Sequence, residues 1–353
     1  MNYILTDLGT LGGNFSVGNG INASGQVTGS AQAVSFTPDH AFLYTGGAMT
    51  DLGTFGGTDS YGTGINASGQ VTGYAATGSN AATHAFLYSA GVMTDLGTLG
   101  GFSSYGSGIN DSGQVTGYAY TLGFLAYHAF LDTGGVMSDL GTLGGTYSQG
   151  NGINGSGQVT GYSNTAGNAA THAFLDTGGV MTDLGTLGGI HSFGNGINAS
   201  GQVTGYAFTV GNAAQHAFLY SSGVMTDLND LIDPLSGWTL VWGQGINDLG
   251  QITGYGYNAA GTGRAFLLTP LNSATVPEPA SWALMLSGFG LAGAALRRRR
   301  MKASRHRMMA SRAVRCRAWS VVSGKPELAN GLHTAGKASR LPFGIGGMSS
   351  RGC

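Results

Sequence analysis

Cysteine, positive charge and glutamate are nearly missing from most of this chain. Its two cysteines, Cys316 and Cys353, lie beyond residue 300, so residues 1–300 hold neither a disulfide nor a thiolate metal site. Fourteen of the fifteen Lys and Arg fall at or after Arg297, and the one earlier cation is Arg264. Residues 1–275 carry fourteen aspartates against that arginine, a net charge of −13. Such a surface repels nucleic acid, because it has no cations to neutralise phosphate. The first 300 residues contain a single glutamate, Glu278, so any acid–base pair there must come from aspartates. Long helical periods are absent too, and the 66 glycines follow no Gly-X-Y rhythm, which excludes collagen.

What is present is repetition. His-Ala-Phe-Leu recurs at His40, His84, His128, His172 and His216, each 44 residues after the last, and a divergent copy starts at Arg264. Gly-Ile-Asn-x-x-Gly-Gln-Val/Ile-Thr-Gly keeps the same beat, with its isoleucine at 21, 65, 109, 153, 197 and 246. A fixed period of this length marks an array of identical supersecondary units. Each unit reads as four short strands, as in Tyr61–Ile65, Gln70–Tyr74, His84–Tyr88 and Val92–Leu96. Asn66-Ala67-Ser68-Gly69 and Ser89-Ala90-Gly91 supply the turns between them.

Four strands in about 44 residues is the size of a propeller blade. Residues 1–271 are therefore predicted to form an all-β, six-bladed β-propeller. Tyr3–Gly9 matches a fourth strand, whereas the last repeat stops at a third strand near Thr269. The N-terminal strand is accordingly expected to complete the last blade and close the ring.

Residues 272–279 form a linker with Pro277-Glu278-Pro279, followed over 280–300 by an apolar run and Arg297-Arg298-Arg299-Arg300. That run is predicted to be a transmembrane helix, short for a bilayer span, with the four arginines as its cytoplasmic stop. The basic stretch 301–353 has no apolar period and is expected to be disordered or a product of read-through. The Pro-Glu-Pro motif, apolar span and basic end resemble the PEP-CTERM sorting signal. The repeats are similar to the HAF family of probable extracellular repeats, named for the triplet at His84-Ala85-Phe86. These resemblances imply an exported protein at the surface of a Gram-negative bacterium, tethered to the inner membrane through residues 276–300 until an exosortase cuts it. Extracellular polysaccharide is the implied surrounding. No secretory leader precedes the repeats in Met1–Ile4.

Chemistry is harder to place. The five histidines occupy equivalent positions in different blades, so they do not converge on one metal. A hydrogen bond to the turn or aspartate of the same blade is the expected role. Asp227, Asn229, Asp230 and Asp233 form the densest oxygen cluster and are the candidate calcium ligands, without an EF-hand pattern. Gly150-Asn151-Gly152-Ile153-Asn154-Gly155 satisfies a dinucleotide-binding pattern, but a hairpin stands where a helix is needed. No catalytic constellation and no cofactor other than Ca²⁺ is read from the residues. Tyr61, Tyr105, Trp238 and Trp242 are the candidate ligand platform, with inter-blade packing and a ring-sealing wedge as the competing roles. The first reading is a surface-displayed binding or structural module; the second is a propeller hydrolase or lyase using aspartates at the channel mouth.

Overall fold

The computed structural model describes residues 4–33, 38–123 and 125–271, and these are all β with a few 3₁₀ turns. The chain divides into a unit of Met1–Ser273 and a second of Ala274–Cys353. The apolar span at 280–296, its arginines and the tail lie outside the described residues. Among the described residues no helix is long and apolar enough to cross a membrane.

Six antiparallel sheets follow one another, the third to fifth joined by single parallel bridges from Tyr127 to Tyr147 and from Thr171 to His191. Sheet 1 comprises β1 (Ser16–Ile21), β2 (Val27–Gln32), β3 (Asp39–Thr45) and β4 (Ala48–Asp51). Sheet 2 has β5 (Gly56–Ile65), β6 (Val71–Thr77), β7 (Thr83–Ser89) and β8 (Val92–Asp95). Sheet 3 repeats this as β9 (Gly100–Ile109), β10 (Val115–Thr121), β11 (Tyr127–Thr133) and β12 (Val136–Asp139). Sheet 4 is β13 (Gly144–Ile153), β14 (Val159–Thr165), β15 (Thr171–Thr177) and β16 (Val180–Asp183). Sheet 5 is β17 (Gly188–Ile197), β18 (Val203–Thr209), β19 (Gln215–Ser221) and β20 (Val224–Asp227). Sheet 6 has three strands, β21 (Thr239–Ile246), β22 (Ile252–Tyr257) and β23 (Gly263–Leu268). In each, neighbours in sequence pair antiparallel.

Two glycine positions set the geometry. A Cβ on Gly73 would sit 1.8 Å from the Tyr61 carbonyl oxygen of the paired strand. A Cβ on Gly62 would sit 2.2 Å from Thr28 Oγ1 in the preceding sheet. Glycine therefore lets paired strands, and successive sheets, approach more closely than any side chain allows. The first strand also carries a bulge between Gly62 and Gly64.

The core lies between sheets. Ala41 and Leu52, joined by Leu43, pack against Val71, Ala75 and Phe86 of sheet 2. The same set recurs at each interface down to Ala217, Leu219 and Leu228 against Ile252 and Phe266. The turn asparagine binds the repeats together. Asn66 accepts N–H bonds from Ser68 and Gln70 on Oδ1, while its Nδ2 donates to Gln70 and to the Asn110 carbonyl at 3.0 Å. Equivalent bonds run from Asn22 to Asn66, Asn110 to Asn154, Asn154 to Asn198 and Asn198 to Asn247.

One expectation is overturned. Residues 4–10 form no strand, and Ile4 and Leu5 are each 95 % exposed. Nothing among the described residues pairs with the outer edge of β23. The reason lies in how the ends are presented. Ile21 on sheet 1 is 70 % exposed and Leu267 on sheet 6 is 65 % exposed, whereas their internal counterparts Ile65 and Leu43 pack into an interface. Sheets 1 and 6 do not cover each other, so the N-terminal segment does not reach the open edge of β23.

Candidate functional site

In sheets 2 to 6, period-two alternation puts one residue of the first strand beside a tyrosine of the second. Tyr61 pairs with Tyr74, Tyr105 with Tyr118, Gln149 with Tyr162, Phe193 with Tyr206 and Trp242 with Tyr255. The rings meet across sheets as well as within them. Ring centroids lie 5.0 Å apart for Tyr61–Tyr74, 5.1 Å for Tyr74–Tyr105 and 4.8 Å for Tyr105–Tyr118. Tyr127 continues the run to Tyr147 at 4.7 Å. A second run links Tyr162, Phe193, Tyr206, Trp242 and Tyr255. The two runs meet in sheet 4, where Tyr147 and Gln149 share β13 and the Tyr162 hydroxyl donates to Gln149 at 2.8 Å. The outcome is an aromatic ribbon crossing sheets 2 to 6.

Burial, ahead of neighbouring hydroxyls, pushes the Tyr74, Tyr118, Tyr162 and Tyr206 phenols above their ordinary value. Tyr61 is raised by burial and then by the nearby charge of Asp59. These hydroxyls stay protonated at physiological pH and serve as hydrogen-bond groups, not as bases. At the first end of the ribbon a recess of about 250 Å³ is lined by Asp59, Tyr61, Tyr74, Ala76, Thr83 and Tyr105. Apolar ring faces beside a carboxylate and hydroxyls suit a small polar ligand with an apolar face.

The structure brings Tyr61 and Tyr105 into this recess and separates the two tryptophans. Trp242 belongs to the ribbon and donates Nε1–H to Gln215 at 3.0 Å. Trp238 instead packs on the apolar cluster of Leu240, Ile252 and Phe266. Tyr74, Tyr118, Tyr162, Tyr206 and Tyr255 belong to the ribbon without standing out in sequence, because they recur in five of the six copies and so resemble framework. Their signal was the position directly after Thr-Gly, opposite the variable aromatic.

The repeated histidines are bonded within their own sheets. His40, His84, His128, His172 and His216 hold Asp51, Asp95, Asp139, Asp183 and Asp227 through Nδ1 at 2.5–2.8 Å. The other oxygen of each aspartate caps the following turn, as Asp95 does for the Gly97 N–H at 2.7 Å. These bonds commit the repeated aspartates to their own turns. Three of the four suggested calcium ligands are likewise held by local bonds. Asp227 accepts from Asn229, Asp233 accepts from the Leu235 N–H, and Asn229 bonds the Leu240 backbone in both directions. Among the described residues no three His, Cys, Asp or Glu converge as metal ligands.

Three comparisons bear on the chain. Residues 275–300 match the family model of the PEP-CTERM protein-sorting motif, which places the sorting signal on Pro277-Glu278-Pro279 and the span after it. No curated protein matches. Among solved structures, the β-propeller domain of the trilobed protease from Pyrococcus furiosus is similar at 8 % identity, with a TM-score of 0.48, over 72 % of this chain and 83 % of that one. TolB from Agrobacterium tumefaciens is similar at 13 % identity and a TM-score of 0.38, over 65 % of this chain and 86 % of that one. TolB from Acinetobacter baumannii shows 12 % identity and a TM-score of 0.41 over 59 % of this chain, which spans about half (52 %) of that protein. The chain thus carries a PEP-CTERM sorting signal, the mark of an exported protein processed by an exosortase, behind an all-β repeat unit.

Proposed function

We propose that this is an exported interaction module: a propeller-type array of HAF-like repeats that an exosortase releases near Pro277-Glu278-Pro279 and that binds saccharide in extracellular polysaccharide. The membrane step uses the apolar run after residue 280 as a transient helix, with Arg297–Arg300 holding its cytoplasmic end. The observation that carries the binding reading is the recess where Asp59 sits among Tyr61, Tyr74 and Tyr105. Sugar rings present axial C–H groups to an aromatic face and hydroxyls to a carboxylate, so this lining matches their two chemistries. Phenols held protonated and aspartates held by histidine favour recognition over turnover.

A glycan array followed by calorimetry on the best hit tests it. Binding is expected, and Tyr61→Ala with Tyr105→Ala should weaken it at least about tenfold, roughly 1.4 kcal/mol, with the circular dichroism spectrum unchanged. Release of reducing sugar, or binding indifferent to both substitutions, would overturn the reading. Intact-mass measurement of the native product checks export separately: the expected species ends close to Pro277.

A further inference from the structure

Every internal interface has two unlike halves, and the ends of the array each present one of them. In sheets 1 to 4 the segment after the fourth strand docks on the third, as the Leu52 N–H donates to the Ala41 carbonyl at 2.9 Å and the Leu96 N–H to that of Ala85 at 3.0 Å. Ser60 Oγ of the next sheet accepts the Ala41 N–H while donating to the Gly53 carbonyl. Sheet 6 offers the same third strand, β23, with no fourth strand beside it among the described residues. The segment Ile4-Leu5-Thr6-Asp7-Leu8-Gly9 has the fourth-strand sequence and no third strand beside it. We propose that Ile4–Asp7 of a second copy of this chain adds to β23 as the missing strand, making a head-to-tail assembly.

The register follows from the repeats. Phe42 pairs with Asp51, Leu43 with Thr50 and Tyr44 with Met49, so Phe266 takes Asp7, Leu267 takes Thr6 and Leu268 takes Leu5. Three complementarities fall out of that alignment. Asp7 meets Arg264, which stands where the other repeats have the histidine bonded to this aspartate. Leu5 occupies the place of Met93, which packs beside Leu43, Leu52, Val71 and Tyr88. The corresponding residues Leu219, Leu228, Ile252 and Leu268 line an open apolar cleft of about 580 Å³. Finally, Ser16 Oγ already donates to the Gly9 carbonyl at 2.7 Å, as Ser60 does to Gly53, which leaves its oxygen to accept the Ala265 N–H.

A second copy is favoured as the occupant because both halves are open in the same molecule. Ile4, Leu5, Ile21 and Leu267 are all largely exposed, so the chain's own end does not fill its own cleft. Burying a bare strand edge and an apolar face together gives each end a reason to associate. The contact is heterologous, so it propagates until a ring closes or a filament forms.

The test uses the full chain. Light scattering at low salt should give masses that are multiples of one chain. Asp7→Arg and Arg264→Asp should each lower the association constant about tenfold or more, and the double variant should restore it. Mixing the two single variants should likewise restore extended assembly, because each supplies the charge that the other has lost. For geometry, Thr6→Cys with Leu267→Cys, in a chain also carrying Cys316→Ala and Cys353→Ala, should oxidise to a ladder of covalent multimers. A monomer at all concentrations, an internally cross-linked monomer, or charge swaps without effect would overturn the proposal.

Discussion

Asp132 and Asp176 stand where other repeats have Tyr44, Tyr88 and Tyr220, and they are fully buried. One oxygen of each accepts a turn N–H, from Gly135 and Gly179 at 3.0 Å, but Oδ2 has no partner. Burial raises both carboxyls above the ordinary value, against the lowering effect of those turn bonds. A raised folded-state pKa means the fold favours the protonated acid, so the folded protein loses stability as pH rises through that value. Asp139 is opposite in sign. Its burial is outweighed by the hydrogen bonds from His128 and the Gly141 N–H, and its carboxyl is lowered. Its contribution is present above the unfolded pKa and disappears as pH falls through the folded one. Asp132→Asn keeps the acceptor for Gly135 and removes the buried charge. It should stabilise the protein at pH 7 by about 1 kcal/mol, and by less at pH 4, as urea unfolding at the two values would show. The His–Asp bonds were legible in sequence because both partners recur at a constant offset. The aspartate burial was not, since two exceptional copies reveal nothing about what surrounds them.

At the scale of strands, the four-strand unit could be read from alternation and turn residues. The first strand runs longer than its apolar part, starting at Gly56 instead of Tyr61, because Gly56-Gly57-Thr58 has no alternation to mark it. Close packing explains the glycine positions better than turn preference does. Gly117→Ala would place a Cβ 1.9 Å from the Tyr105 carbonyl oxygen, a backbone atom that cannot rotate away. It should cost about 3 kcal/mol or more and separate β9 from β10, visible as lost amide protection in hydrogen exchange. Asn110→Ala removes a 3.0 Å bond to Asn154 and frees the Ser112 and Gln114 N–H groups. A loss of about 2 kcal/mol is expected in thermal or urea unfolding. That such an asparagine joins neighbouring repeats was hidden, because a turn asparagine has enough to do inside its own turn.

For the repeat unit as a whole, the period revealed how many sheets there are but not how they end. Whether six copies complete a circle depends on a small rotation per copy, and no residue pattern in one repeat encodes that angle. Matching sequence at the two ends therefore predicted a ring closure that the described residues do not show. The aromatic ribbon has the same history. Tyr61 and Tyr105 could be named from their variation, whereas the recess needed Tyr74 from a different strand and Asp59 from the glycine-rich start of β5. Charge is divided as sharply as structure, with the acidic repeats on one side of residue 275 and nearly all cations on the other. Release near Pro277 should therefore leave a strongly acidic product, and native isoelectric focusing before and after processing should show a large shift to lower pI.

The asparagine links between repeats give the array a mechanical character. Four of them join residues 44 positions apart, as from Asn22 to Asn66 and from Asn110 to Asn154, the fifth, from Asn198 to Asn247, spans 49, and the set lies in series. Pulled by its two termini, such an array yields link by link, starting where a repeat has one neighbour instead of two. Each rupture should free a 44-residue loop, a gain in contour length of about 150 Å at roughly 3.4 Å per residue. A force–extension trace would then show evenly spaced teeth, and a surface protein built this way would absorb shear by lengthening in steps before it tears.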